Sequence, residues 1–517
     1  MVVLVLFIML KIPHMLYAFY WDESWPYVPA IKEMFRHGIS LLPGAVNPDL
    51  SRGHPLFFHT IGAAWIHIFG QSNKSLHAFA LTISLLFLVT IYESVSRLFN
   101  KRAAIISLLL VATHVSFFVQ SSFVLLEMLV AFLSFLSIWL YVKEKYLLAT
   151  LALTALMLTK ESGAVAVFII GMHAFVGLFN KNIAFRTRLI RLLPAATALA
   201  AIALFFIVQK HKYGWYVLPL YTDTILTKWN DIWYRFTTGC LSTTFCEGAE
   251  YLLFLSLIVC AVFVIIKKKT KQSFALLCLF VPVILGYYYC DGYRLRVLNF
   301  PAPSVITFVL FVLFYVLTLF VFSSRVYYDT AEQRKFLLLT GSFVFAYMMF
   351  SSVVYFIPRY LLASIVPGLV LVGVFSDMVI RQSYILLYYP FLIIIAITGY
   401  FSFKECKRWG DNETGFYYGL KTETCVVEYM ERSNYYDKHI AASYLNATHL
   451  SNHDCGFLSS WYNFNNVGYY INDKTDIVIF DNIETDYRHD MIAKDTSFQL
   501  IYRIAIHDVW AEIYKRK

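Results

Sequence analysis

Charge is scarce in this chain: Asp, Glu, Lys and Arg make up 15% of its 517 residues, apolar types make up 59%, and the mean hydropathy is +0.61. That shortage excludes a soluble multidomain protein, and the many long uncharged runs mark a polytopic α-helical membrane protein. Zinc-type spacing is missing too, since the eight cysteines include no CxxC pair. Internal repeats of the kind that transporters carry are absent. The opening run, Val2 to Tyr17, has no basic n-region and no small-x-small cleavage site before Trp21. It therefore reads as a retained first span, not a cleaved signal peptide.

The net charge of +10 sits in short cationic clusters between apolar runs, which is a topology signal and excludes a nucleic-acid partner. Runs long enough to cross a bilayer, at roughly 20 residues each, extend from Val2 to Tyr17, Leu76 to Ser96, Ala103 to Ser121, Phe123 to Val142 and Leu189 to Gln209. Further runs cover Tyr251 to Ile266, Ser273 to Tyr289, Pro303 to Phe322, Phe336 to Ile357, Leu361 to Ile380 and Ser383 to Phe401. Tyr146 to Phe179 is interrupted by Lys160-Glu161-Ser162-Gly163 and reads as two short spans hinged at the charges. About thirteen crossings result.

With the N-terminus in the cytosol, the short inner connections hold 17 Lys and Arg, against 12 in the much longer outer ones. Asp22, Glu23, His54, Lys160, Arg294, Arg296 and Arg359 then all face the extracytoplasmic side. Two outer loops are large, 18–75 and 210–250. The first holds an expected in-plane helix from Pro26 to Arg36 and a short apolar stretch, Leu56 to Phe69, that lies in the interface or re-enters.

After residue 402 the composition turns polar, which divides the chain into a membrane domain (1–402) and an extracytoplasmic α/β domain (403–517). Thr424 to Leu445 has helical spacing, while Asp476 to Phe480 and Leu500 to Ile504 read as buried strands. Cys240 and Cys246 share an outer loop and can close a disulfide in an oxidising compartment, a bacterial periplasm or an ER lumen; Cys406, Cys425 and Cys455 leave their pairing open. Asn73, Asn412 and Asn446 head outer-side sequons.

Asp22 and Glu23 stand just after the first span, where ionisable groups are costly and become functional candidates by default. The alternative reading is that they only meet the positive end of the in-plane helix. Gly53-His54-Pro55-Leu56, Phe69-Gly70 with Ser72, Ser121-Ser122 through Glu127, Leu158-Thr159-Lys160-Glu161, and Pro358-Arg359-Tyr360-Leu361-Leu362 with Pro367 follow in order on the same side. In this ordered set the chain resembles the C-type (GT-C) membrane glycosyltransferases that use polyprenyl-phosphate sugars. The nearest likeness is to the branch of protein O-mannosyltransferases and lipid A aminoarabinose transferases, also grouped as RgtA/B/C/D-like. The pattern departs from the family where one proline follows His54, where His77 stands in place of a frequent Arg, and where Glu127 stands in place of Asp. The resemblance implies inverting transfer of a sugar, a mannose-like hexose or a modified pentose, from a polyprenyl-phosphate donor. A hydroxyl or phosphate of a protein, lipid or polysaccharide acceptor would receive it.

That chemistry needs a base for the acceptor proton and cations for the leaving phosphate. Asp22 is the candidate base, with Glu23 positioning the acceptor or holding the loop. Lys160 and Arg359 are the leading phosphate ligands, backed by His54, Arg294 and Arg296. Against these stand an ion pair of Lys160 with Glu161 or snorkelling, an interfacial anchor for Arg359, and a helix-entry or core role for His54. Glu127 is a second acidic site, a partner to a cation or to the acceptor. No cofactor is required; a divalent metal on Asp22, Glu23, Glu127 and a histidine is possible, although no spacing demands one. The rival class is a transporter or flippase of a lipid-linked glycan. A third reading puts the function in the C-terminal domain and leaves the spans as its anchor.

Overall fold

The computed structural model describes residues 2–222, 224–241, 330–354, 357–383, 388–405, 409–459, 462–484 and 486–517. The helices used below are α1 (Val2–Lys11), α2 (Tyr27–His37), α3 (Phe57–Phe69), α4 (Asn73–Leu98), α5 (Lys101–Ala112), α6 (Val115–Gln120) and α7 (Leu126–Val142). They continue as α8 (Tyr146–Met157), α9 (Ala164–Leu178), α10 (Phe185–Tyr213), α11 (Ala331–Val353), α12 (Leu362–Ser383) and α13 (Tyr388–Glu405).

Capping residues in the connections begin several of these helices. Ser72 accepts the Ser75 amide at 3.2 Å to open α4, and Asn100 accepts the Arg102 and Ala103 amides at 2.9 Å each to open α5. Thr330 and Gln333 form a reciprocal capping box at the start of α11.

Among the described residues, five helices are long and apolar enough to cross a membrane, and the bent pair Val2–Leu16 and Trp21–His37, angled at 64°, supplies a sixth candidate. The expected count of thirteen is not reached there; three of the expected runs, 251–266, 273–289 and 303–322, lie outside the described residues. Ala103 to Ser121 is two helices broken at Thr113–His114, not one span. The hinge at Lys160 does separate two helices, α8 and α9.

α12 lies against α5, α7 and α11. It approaches α5 so closely that a Cβ on Gly373 would come within 2.3 Å of Ser107 Oγ and 2.8 Å of Ser107 Cα. Small residues permit such contact in a bilayer, where packing replaces the hydrophobic drive.

The C-terminal segment forms a five-stranded sheet in the order β2-β1-β3-β5-β4, built from β1 (Ile440–Ala442), β2 (Val467–Gly468), β3 (Ile477–Asp481), β4 (Phe498–Ile506) and β5 (Val509–Arg516). β1 runs parallel to β2 and β3, and β5 runs antiparallel to β3 and β4. Every residue of β3 is buried, as an inner strand covered on both faces requires. Helices α14 (Phe416–Arg432) and α15 (Tyr444–Ser451) accompany the sheet. The helix expected from Thr424 to Leu445 thus starts earlier and ends at Arg432, because the apolar residues from Ile440 enter the sheet. Both expected strands are present, but only β3 is buried; β4 lies at the sheet edge, where Leu500 to Ile504 are exposed or half-buried.

This sheet layer is docked on the first loop. Phe19 donates its amide to the Cys455 carbonyl at 3.0 Å, Asp454 pairs with Lys32 at 3.1 Å and Arg36 at 2.9 Å, and the Tyr20 hydroxyl reaches the Trp409 carbonyl at 2.8 Å. The sequon asparagines turn inward: Asn73 bonds the Tyr17 carbonyl, Asn412 bonds Ser116, and Asn446 bonds Asp481. Cys240, Cys425 and Cys455 are free thiols; Cys246, the expected partner of Cys240, lies outside the described residues.

Gly373→Val should lower stability by about 1–3 kcal/mol through overpacking, read as a lower melting temperature in detergent; an unchanged melting curve would contradict the close α5–α12 approach.

Candidate active site

Residues Tyr20–Ser24 form a tight turn around the buried Glu23. Its Oε2 accepts the Tyr20 amide at 3.2 Å, and its Oε1 accepts the Val124 amide at 2.6 Å and lies 3.4 Å from His77 Nε2. One carboxylate thus ties the first loop to the connection between α6 and α7. Trp21 takes φ +48°, a left-handed backbone uncommon outside glycine and often found near functional groups. The neighbouring carboxylate then points the other way: Asp22 accepts the Trp25 indole N–H at 3.1 Å and forms an ion pair with Arg359. Asp22 keeps 23% of its side chain exposed, whereas Arg359 keeps 3%.

Arg359 sits in the single turn Pro358–Leu361 that leads into α12. Pro358 begins that turn, having no amide to satisfy there. The guanidinium also pairs with Asp411, and its Nε lies 3.8 Å from Glu127 Oε1. Glu127 occupies the first turn of α7, buried, and receives the Lys160 ammonium at 3.0 Å. Lys160 is extended between α8 and the turn before α9, and its ammonium rests 3.8 Å from the centre of the Tyr360 ring. Five charged groups from five separate connections or helix starts therefore meet: Asp22, Glu127, Lys160, Arg359 and Asp411.

His54 stands apart from this cluster. Its Nδ1 lies 2.8 Å from Glu161 Oε2 and its ring stacks on Tyr221 at 5.5 Å. Lys160 and Glu161 thus do not pair with each other; adjacent in the chain, they serve two neighbouring groups. Arg52, at φ +56°, lies over the Trp25 ring at 4.9 Å and the Tyr221 ring at 5.7 Å. Arg294 and Arg296 fall outside the described residues. For a divalent metal, Asp22 and Glu127 face Arg359 while Glu23 faces His77, so the proposed donors do not converge. No group of three or more His, Cys, Asp or Glu able to hold an ion occurs among the described residues.

Asp411 was not singled out from the sequence. The available signal was a carboxylate just beyond the last apolar run, in Arg408-Trp409-Gly410-Asp411, but nothing local paired it with a residue 52 positions away. Burial pushes its carboxyl up to about 6 against the pull of Arg359, with Asp22 and Glu127 adding to the rise.

Comparison with known proteins agrees with this architecture. Residues 53–207 match the family model described as dolichyl-phosphate-mannose-protein mannosyltransferase. The crystal structure of ArnT from Cupriavidus metallidurans bound to undecaprenyl phosphate is similar over 98% of this chain and 97% of that one, with a TM-score of 0.53 and 12% identity. The apo structure of the same protein aligns over 76% of this chain and 62% of that one, with a TM-score of 0.42 and 15% identity. At these identities the first likeness is one of fold. No curated protein matches the chain in sequence. The resemblance to the C-type membrane glycosyltransferases, read from the motifs, is borne out, and the chain is an integral multi-pass membrane protein.

Two outcomes test this geometry. Glu23→Gln loses one acceptor for buried backbone amides and should cost about 1–3 kcal/mol, seen as a lower melting temperature. For Asp411, the native carboxyl keeps its proton up to about pH 6, while the unfolded chain releases it near about pH 4. The native state then binds more protons across that window, so this group makes wild-type stability fall as pH rises from about 4 to about 6. In Asp411→Asn that component of the slope should vanish; identical pH profiles would count against the buried placement.

Proposed function

We propose that the chain is an inverting glycosyltransferase that moves a sugar from a polyprenyl-phosphate donor to an acceptor hydroxyl or phosphate on the outer membrane face. The observation that carries the reading is a partly exposed carboxylate, Asp22, paired with buried Arg359, to which Glu127 joins a second buried cation, Lys160. The base and the phosphate ligands that such a transfer requires are thus gathered in one place.

The acceptor O–H gives its proton to an Asp22 oxygen as the acceptor oxygen bonds to the anomeric carbon. The bond from that carbon to the phosphate oxygen breaks on the opposite face, and its electron pair stays on the phosphate. One displacement inverts the anomeric centre. Arg359 and Lys160 stabilise the charge that develops on the leaving group, and away from bulk water they do so more strongly than they would in it. Asp22 faces Arg359 with one oxygen and the Trp25 indole with the other, and it keeps 23% of its side chain exposed, where an acceptor O–H can reach it. Glu127 holds Lys160 and the guanidinium in place, and Glu23 holds the loop that presents Asp22.

The same arrangement speaks against a transporter, whose charges would collect near the midplane between repeats. Here Asp22, Glu127, Lys160, Arg359 and Asp411 lie in connections or first turns at one end of the bundle. The opposite connections carry separate pairs, Asn100 with Asp377 and Lys143 with Glu332. With the cytosolic N-terminus that the Lys and Arg bias indicates, the end bearing Asp22 is extracytoplasmic, as is the C-terminal segment.

Purified protein incubated with labelled polyprenyl-phosphate sugars should consume one donor class, and Asp22→Asn should lower transfer about 10²–10⁴-fold. Full activity in a correctly inserted Asp22→Asn protein would remove Asp22 as base. Parallel reactions with chelator and with added Mg²⁺ read whether a divalent ion contributes.

A further inference from the structure

The charges around Arg359 do not balance. Three carboxylates, Asp22, Glu127 and Asp411, face two cations, Arg359 and Lys160. Each guanidinium nitrogen of Arg359 already faces a carboxylate oxygen: Nη2 faces Asp22, Nη1 faces Asp411, and Nε faces Glu127. A phosphate brings more negative charge to a buried site where like charges repel strongly. It can join this cluster only if one carboxylate gives way.

The surroundings indicate which one. Glu127 is held by the Lys160 ammonium at 3.0 Å, and Asp22 by the Trp25 indole at 3.1 Å. Asp411 has Arg359 as its one ion-pair partner among the described residues. Its backbone is anchored independently of its carboxylate: Gln120 donates to the Asp411 carbonyl at 2.6 Å, and Asn412 donates to Ser116 at 2.9 Å. The side chain can therefore turn about χ1 while the main chain stays strapped to α6. A Cβ added at the preceding Gly410 would meet nothing within 4 Å, which leaves room beside it.

We infer that Asp411 is a positioning residue that holds on Arg359 the place of a donor phosphate oxygen and yields it when the phosphate arrives. The inference rests on the glycosyltransferase reading above and adds to it a control over donor entry from the C-terminal segment. The exchange breaks no covalent bond: one anion replaces another on the same guanidinium. Before the exchange Asp411 keeps Arg359 aimed beside Asp22, so the cation does not have to be ordered when the donor binds. The cost is affinity, because the phosphate must compete with a tethered carboxylate. The link also reaches the base. Trp409, two residues before Asp411, accepts the Tyr20 hydroxyl at 2.8 Å, and Tyr20 opens the turn that carries Asp22.

The test uses the full chain in detergent and undecaprenyl phosphate as the probe. Asp411→Asn keeps the size of the side chain and removes the competing charge. It should bind the probe several-fold more tightly than wild type and lower the donor KM without raising kcat. Asp411→Glu should restore the wild-type affinity, and Arg359→Gln should weaken binding in either background. A purely structural Asp411 would move the other way, since losing it would disorder Arg359 and weaken binding; weaker or unchanged binding by a folded Asp411→Asn overturns the inference. Asp411→Ser provides the same comparison if the Asn variant does not fold. Binding by wild type with no gain in the variants rejects this inference alone. Absence of binding and of donor consumption by wild type rejects the donor reading and this inference with it.

Discussion

The guanidinium of Arg359 is the point on which the described structure converges. A buried cation is tolerated only with partners, because the loss of hydration costs several kcal/mol per ion. Here the partners come from three distant parts of the chain: Asp22 from the first loop, Glu127 from the start of α7, and Asp411 from the segment after α13. Pairing a single arginine therefore fixes the relative positions of the loop, the bundle and the C-terminal segment. Removing Arg359 would leave three carboxylates facing one another with only Lys160 to offset them.

Around that point the two adjacent acidic residues divide their work by geometry. Glu23 turns into the protein and spends both oxygens on backbone amides, so it behaves as a fastener for the loop. Asp22 turns toward Arg359 and keeps partial contact with solvent, which the proposed role of base requires. The Trp21 backbone at φ +48° sets the direction of this turn. Lys160 and Glu161 divide in the same manner, one facing Glu127 and the other His54. In both pairs, neighbours in sequence belong to different networks because successive side chains diverge, by about 120° in the single 3-10 turn Trp21–Glu23 and across the step from extended Lys160 into the turn Glu161–Gly163.

The C-terminal sheet layer takes part in this arrangement and is more than an appendage. Asp454 grips Lys32 and Arg36 on α2, Cys455 receives the Phe19 amide, and the chain leading into the layer delivers Asp411 to Arg359. A reading that placed the function in this layer alone, with the spans as its anchor, would leave the shared charge cluster without a purpose. So would a reading of the membrane part without the layer.

Much was legible from residue order alone. Apolar runs set by bilayer thickness located most helices, and the charged interruption at Lys160 marked a real break between α8 and α9. The rarity of charge made Asp22, Glu127, Lys160 and Arg359 conspicuous, since each burdens a membrane boundary unless it is paired. The ordered motifs around them pointed to a glycosyltransferase fold. Pairing was not legible, nor were the break at Thr113–His114, the start of α14 or the place of Asp411 on Arg359. Those depend on which distant groups a folded chain brings within hydrogen-bond reach. Hydropathy acts along the chain and is written in the local sequence; charge neutralisation acts through space, so only the tertiary structure decided that Asp22 and Asp411 would share Arg359.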